Sequence, residues 1–357
     1  MGAGVAVLCC LPVLAAAIPA SVPALTAAQL RNRILASQHK PFDGYAESNA
    51  DFNLPPFPAF SSVTPLLDGI TRMRVWQQDP GHWRVDTLSD AGESDTYQAG
   101  GDEYVWSSGA ELLTGIYGKQ TVRLPRGADL VPSALAVRII DDAGPHAGLR
   151  LLPPRRVAGQ SVAGLAITPA SAASTIGQAD IWASPGTGLP MLVEVFGKGT
   201  AMPALTSQFL QAGAWKPDSA ILTPRHGPGS GFTATTPGNF AGVLQNLGDA
   251  PLPALLDGFA RQPSPVGYGQ VGVYGGGLAP FAVFPFGPGT GGQLLADAVD
   301  AGATRLPVRN GTGAMASAPL VNLVLVRPCR SPDTFLLIGL VSKSVLVRAA
   351  QELALRS

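Results

Sequence analysis

The sequence predicts an α+β fold: a curved antiparallel sheet with apolar material against its concave face, followed by a smaller α+β unit. Three observations predict it. Asp180 to Gly199 reads as strand, tight turn and strand. Ile181 to Ala183 is apolar and β-prone, Pro185-Gly186-Thr187-Gly188 supplies the turn, and Met191, Val193 and Val195 alternate with Leu192, Glu194 and Phe196. The same period of two recurs in short runs from Phe42 to Val122, separated by turn residues. Finally, residues 213–240 are dense in Pro and Gly and divide the chain. A meander of hairpins makes a curved sheet that needs an apolar layer on one side. That layer is either the protein's own core or a guest molecule.

In chain order, residues 3–20 form an apolar run followed by small residues, with Ala15–Ala17 and Ile18–Ala20 resembling cleavage sites. Residues 1–25 therefore read as a signal peptide or N-terminal anchor of an exported protein. Pro12 and Pro19 argue against a long straight membrane helix. Thr26-Ala27-Ala28-Gln29 is a capping box, Leu25 and Leu30 can staple it, and Leu30, Ile34 and Leu35 make an apolar stripe. Strands are expected at Tyr45–Phe52, Arg72–Gln77, His82–Leu88, Ser94–Gln98, Glu103–Ser107 and Leu112–Tyr117. Alternation places Met73, Val75, Trp83, Val85, Tyr104 and Trp106 on apolar faces, and Arg72, Arg74, Arg84 and Asp86 on wet ones. The loop Asn53–Asp68 carries Leu54, Phe57 and Phe60 among prolines; such a loop must bury its side chains on the sheet or against a partner, as a lid.

Leu130–Ala143 reads as a second helix stopped by Gly144-Pro145, and strands resume at Arg156–Ile167 and Leu205–Leu210. Residues 213–244 read as a linker. Beyond it, a short helix is expected at Leu252–Phe259, strands at Gly269–Tyr274 and Phe281–Phe286, and a helix at Gln293–Asp300. Strands at Val321–Val326 and Phe335–Val341 and a closing helix at Ser342–Leu355 complete the unit. The chain thus divides into 1–25, 26–212, 213–244 and 245–357.

Composition narrows the function. At 357 residues the chain has room for about two domains. Its 24 basic residues balance 24 acidic ones with no basic run, which excludes a nucleic-acid binder. Cys9 and Cys10 lie in the leader and Cys329 is alone, so neither a disulfide framework nor zinc spacing is present. His39, His82, His146 and His226 fall in separate segments. Gly287–Gly292 matches G-x-G-x-x-G, but the neighbouring strands read as hairpins and Arg305–Asn310 offers no acidic ribose partner. Ser230 lacks the preceding glycine of a nucleophile elbow, since Pro228 stands there. The reading is therefore a non-enzymatic binding protein without cofactor or metal. Its groove candidates are Met73, Val75, Trp83, Tyr104, Trp106, Met191, Val193 and Phe209, with Leu54, Phe57 and Phe60 as lid.

Residues 26–212 resemble the lipoprotein-carrier (LolA-like) superfamily. The carrying pieces are RMRVWQQDPGHWRVDTLSDAGESDTYQAGGDEYVWSS, LVPSALAVRIIDDA, GQSVAGLAITP and TGLPMLVEVFGKG. VGVYGGGLAPFAVFPF and FLLIGLVSKSVLVRAAQEL resemble the second domain of the sigma-E regulatory, RseB/MucB-like form, in a version common in actinobacteria. Phe286 and Leu340 stand where that form usually has acidic residues. The resemblance implies a half-barrel with a helical lid that holds an acyl lipid or lipoprotein. Such a protein is a carrier or envelope lipid sensor in the periplasm or at the outer face of the cytoplasmic membrane. The alternative it implies is a regulatory protein that binds the extracytoplasmic domain of an anti-sigma factor through its C-terminal domain.

Overall fold

The structure, a computed structural model, describes residues 19–52, 64–89, 92–118, 125–235, 247–263 and 270–356. Most of the leader, and the loop with Leu54, Phe57 and Phe60, lie outside the described residues. The chain is α+β, with one large, mostly antiparallel open sheet and few helices.

Helix α1 (Ala27–Ser37) begins at the capping box. The Gln29 N–H donates to Thr26 Oγ1 at 3.2 Å, and the Thr26 N–H donates to Gln29 Oε1 at 2.9 Å. Then come β1 (Phe42–Asp51), the short α2 (Thr64–Leu67), β2 (Asp68–Asp79), β3 (His82–Ser89), β4 (Gly92–Ala99), β5 (Asp102–Ser107) and β6 (Leu112–Ile116). A 3₁₀ turn (Gly127–Leu130) leads into α3 (Pro132–Ala143), which starts on a proline and stops at Gly144 with φ 69°. Strands β7 (Gly148–Val157), β8 (Gln160–Thr168), β9 (Ile176–Ala183), β10 (Pro190–Gly197) and β11 (Leu205–Gly213) return to β1, which pairs with both β2 and β11.

Two departures from the sequence reading concern this sheet. β7 carries Pro153 and Pro154, which mask it as a strand; it lies at the sheet edge, where proline is tolerated, and its register slips between Leu152 and Arg155. The described part of the segment read as a linker, residues 213–235, is structured. It contains α4 (Ser219–Leu222), capped by Asp218 and packed on β2, β3 and β4, and β12 (Gly231–Thr235), which pairs in parallel with β6. It covers that end of a sheet ordered β12-β6-β5-β4-β3-β2-β1-β11-β10-β9-β8-β7.

The rest of the chain makes the hairpin β13 (Leu255–Leu256) and β14 (Phe259–Ala260), then β15 (Gly272–Tyr274), β16 (Phe281–Phe286), α5 (Pro288–Asp300), β17 (Thr304–Val308), β18 (Gly311–Ser317), β19 (Asn322–Pro328), β20 (Thr334–Gly339) and α6 (Lys343–Arg356). The expected helix at Leu252–Phe259 is therefore a hairpin. Asp257 and Gly258 turn it with φ 47° and 79°, the left-handed pair that an Asp-Gly turn uses. Six strands form a sheet ordered β15-β16-β20-β19-β18-β17. α5 packs Leu294 and Ala298 on Ala314, Leu323 and Leu325, and α6 packs Val345, Leu346 and Ala349 on Val324, Val326 and Leu337. Phe286 is 1% exposed in the α5 layer, where a carboxylate would be buried without compensation. Gly287–Gly292 is the cap and first turn of α5 behind an antiparallel sheet, not a nucleotide loop.

The two sheets are joined at the β8–β9 connection. The Thr175 N–H donates to the Leu340 carbonyl at 3.0 Å, the Ser342 N–H donates to the Ala173 carbonyl at 2.8 Å, and Ser174 bridges Val341. Leu278, Leu320 and Val321 enter the core of the larger sheet. No helix among the described residues is long and apolar enough to cross a membrane.

Candidate functional site

The hairpin registers decide which side chains share a face. Met73 lies opposite Ala46 and Thr87, Val75 opposite Gly44 and Val85, and Gln77 opposite Trp83. Phe209 lies opposite Ala46, and Val193 opposite Ile181 and Ser207. These residues line the face under α1 and α3. Met73, Met191 and Val193 are 0% exposed and Phe209 1%, in one core with Leu30, Ile34, Ala136, Ile139 and Ile140 of the two helices. The ring of Phe209 stands edge-on to Phe42 at 5.8 Å and fills the space over Gly44, where a Cβ would meet it at 2.8 Å. Most of the apolar face is filled by the protein's own helices.

Tyr104 and Trp106 are on the other face. The turn between β4 and β5 pairs Ala99 with Asp102, so Tyr104 lies opposite Tyr97 and Trp106 opposite Asp95. Both thus share a side with Arg84 and Asp86, not with Met73 and Val75. Counting alternate positions from the aromatic residues failed because this second face is covered too and carries rings of its own. For the same reason it is not wet at Asp86 and Asp95, which are 1% and 4% exposed where α4 and its flanking chain cross. Arg84 donates to Asp86 through Nε and to Asp95 Oδ2 through Nη2 at 2.9 Å, and stacks between Trp76 and Tyr97 at 5.3 and 4.9 Å from their ring centroids. Burial, with Asp86 adding to it, pushes the Asp95 carboxyl up to about 7. Asp86, Glu93 and Asp95 gather their carboxylates within 4.8 Å, and Arg84 supplies the positive charge among them.

Among the described residues, a trough lies open on the helix side between α3 and the β2–β3 hairpin. A deeper cavity of about 140 Å³ is lined by Val75, Val85, Val131 and Ala128, with Arg126 and Asp129 at its polar end. A wider one of about 420 Å³ continues past Pro80, Val137, Arg138, Asp141 and Asp142. Gln77, Trp83, Ser133 and Ala134 line both. Thus two of the predicted groove residues, Val75 and Trp83, border open space. Gln77 is held by donating through Nε2 to the Gln38 carbonyl at 2.8 Å, which ties β2 to the end of α1. Arg126 pairs with Glu103, lies 5.8 Å from the Trp83 ring, and is lowered in pKa by burial. Asp142 is pushed up by burial, against the pull of Arg138 at 3.7 Å. Sequence reading missed Arg126, Ser133 and Ala134; only the α3 start could have pointed to them. A larger, shallow groove of about 660 Å³ runs along β17 and β18, with Arg305 and Arg309 at its rim.

The architecture is an open antiparallel sheet with helices packed on one face and a second, six-stranded sheet joined to it. Among solved structures, the chain is similar to MucB. In the Pseudomonas aeruginosa MucA/MucB complex the likeness has a TM-score of 0.50 at 18% identity and covers 91% of this chain and 96% of that one. In MucB in complex with MucA(peri) it has a TM-score of 0.50 at 17% identity and covers 91% and 97%. A LolA-superfamily protein from Nitrosomonas europaea aligns over 56% of this chain and 99% of its own, at 14% identity and a TM-score of 0.27. No family model matches the sequence, and no curated protein matches it. The fold is the RseB/MucB-like one that the sequence resembles.

Proposed function

We propose that this protein is an exported, non-enzymatic binding protein that holds a single acyl chain in the trough between α3 and β2–β3, as a carrier or lipid sensor of the cell envelope. The observation that carries the reading is the pair of adjoining cavities that share Gln77, Trp83, Ser133 and Ala134, beside a face whose other described apolar residues pack in the core. That limits the guest to one chain. A chain burying about eight methylenes gains about 6 kcal/mol, which is tens of micromolar before any head-group contact. Titration of the purified protein with a fluorescent acyl probe should saturate at one per chain. Absence of saturable binding would overturn the reading.

A second reading is regulatory: the chain holds the extracytoplasmic segment of an anti-sigma factor. Two observations favour it. The likeness to MucB, solved with MucA, runs over both sheets, and a pure carrier needs only the first. The groove along β17, an edge strand, also presents Arg305 and Arg309 to an acidic extended segment. Here residues 26–212 and 245–357 act as two domains, the second carrying the partner. Size-exclusion chromatography of the full chain with the extracytoplasmic segment of the host's anti-sigma factor should give a complex that Arg305→Glu/Arg309→Glu dissolves. Separate elution of the unmutated proteins would count against it.

A further inference from the structure

The trough has a polar corner that an alkyl chain alone does not use. The residue preceding α3 is Val131, whose side chain cannot cap the helix, so the first N–H groups have no side-chain acceptor. Ser133, in the first turn, is 8% exposed and lines both cavities. Its hydroxyl makes no hydrogen bond among the described residues, and neither do the Ser133 and Ala134 N–H groups. That hydroxyl has no partner among the described residues and opens onto the cavity, so it is free to donate to an acceptor placed there. The guanidinium of Arg126 stands at the same end, beside the Trp83 ring.

The charges around this corner select the kind of acceptor. The Arg126 guanidinium is in an ion pair with Glu103, and the Asp129 carboxylate, which accepts from the Arg126 backbone N–H at 3.1 Å, lines the same cavity. Arg126 Nε and Nη1 are buried without a hydrogen-bond partner among the described residues, and Nε, outside the ion pair, can donate to an oxygen. One guanidinium faces two carboxylates, however, so the net charge of the corner disfavours an anion. It suits a neutral oxygen with an apolar tail.

We propose that the α3 N-terminus binds the ester or amide carbonyl of an acylated molecule. The carbonyl oxygen accepts from the Ser133 hydroxyl and the free N–H groups of the first turn, while the chain lies along Trp83, Ala134 and Val137. This rests on the acyl-binding reading and specifies its ligand as an O-acyl or N-acyl compound, from a lipid or a lipoprotein. It makes the trough selective for the bond that joins the chain to its carrier, not for the chain alone.

The test compares probes with the same chain on the full protein: monopalmitoylglycerol, an N-palmitoyl dipeptide amide, 1-O-hexadecylglycerol, which lacks the carbonyl, and palmitate. The ester or the amide should bind about tenfold more tightly than the ether, the loss expected for one or two hydrogen bonds. Ser133→Ala should erase that ratio with the fold intact, and Ser133→Thr should keep it. Whichever of ester and amide binds better identifies a lipid or a lipoprotein as the source. Equal binding of ester, amide and ether, an unchanged ratio in Ser133→Ala, or tightest binding of palmitate would overturn the assignment while leaving acyl binding intact. Failure of every probe, the ether included, would overturn the acyl-binding reading and this proposal with it.

Discussion

Replacing Asp95 with asparagine should flatten the pH dependence of this protein's stability between pH 5 and 8. Asp95 lies under α4 with its carboxylate beside Asp86, and both draw on the one guanidinium of Arg84. Its carboxyl is pushed from the ordinary 3.8 up to about 7, chiefly by burial and then by Asp86. Between those values the folded protein keeps a proton that the unfolded chain releases. The native state therefore binds more protons, and stability falls as pH rises through the window. Each pH unit is worth about 1.4 kcal/mol, which sets a ceiling of about 4 kcal/mol. Part of this is already lost between pH 3.8 and 5, so about 2 kcal/mol is the loss we expect between pH 5 and 8. Urea unfolding at pH 5, 6, 7 and 8 measures it. Asp95→Asn should approach the parent only below about pH 4, where Asp95 is neutral in both the folded and the unfolded state, and its advantage should grow by about 2 kcal/mol from pH 5 to pH 8. Asp86, Asp142 and Asp180 are also raised by burial; the difference between the two proteins removes Asp142 and Asp180 from the comparison and reports Asp95 with its neighbour Asp86. Parallel curves, or a variant less stable at pH 8, would show that Asp95 is ionised and that its pair with Arg84 is net stabilising.

Three further outcomes are expected. Met73→Ala should cost about 3 kcal/mol in chemical denaturation, because Met73 is 0% exposed beneath the helices and its removal leaves a cavity. Trp106→Lys should leave acyl-probe affinity unchanged in a fluorescence titration, since Trp106 faces Asp95 on the side away from the trough. Leu222→Ala should cost about 2 kcal/mol and raise amide exchange in β3 and β4, because Leu222 is a buried residue of the helix that covers them.

Much of the fold is legible in the sequence because local chemistry and tertiary structure agree. The capping box at Thr26 opens α1, Gly144 closes α3, and the runs from Arg72 to Ile116 become β2 to β6. β7 was hidden by Pro153 and Pro154, which an edge position accommodates. The hairpin at Leu255–Ala260 was readable from Asp257-Gly258 but was outweighed by its apolar neighbours.

The site was less legible for two physical reasons. A strand's own alternation cannot say which face is which when both are covered, as Tyr104 and Trp106 show. Nor can a pattern of apolar residues separate a filled face from an open one. Met191 and Val75 read alike, yet Met191 lies in the closed core and Val75 borders the trough. What separates them is where α3 begins, and with it Arg126 and Ser133, residues with no marked signature in sequence.

The most direct test of the trough is native mass spectrometry, with organic extraction, of the protein purified from an envelope fraction, beside an Ala134→Phe variant. Ala134 is exposed on the trough wall, so the larger ring fills the space without entering the core. The account predicts one acyl chain per polypeptide in the parent and bare polypeptide mass in the variant, with melting temperatures within a few degrees. Bare mass in the parent, or the same bound lipid in Ala134→Phe, would contradict it.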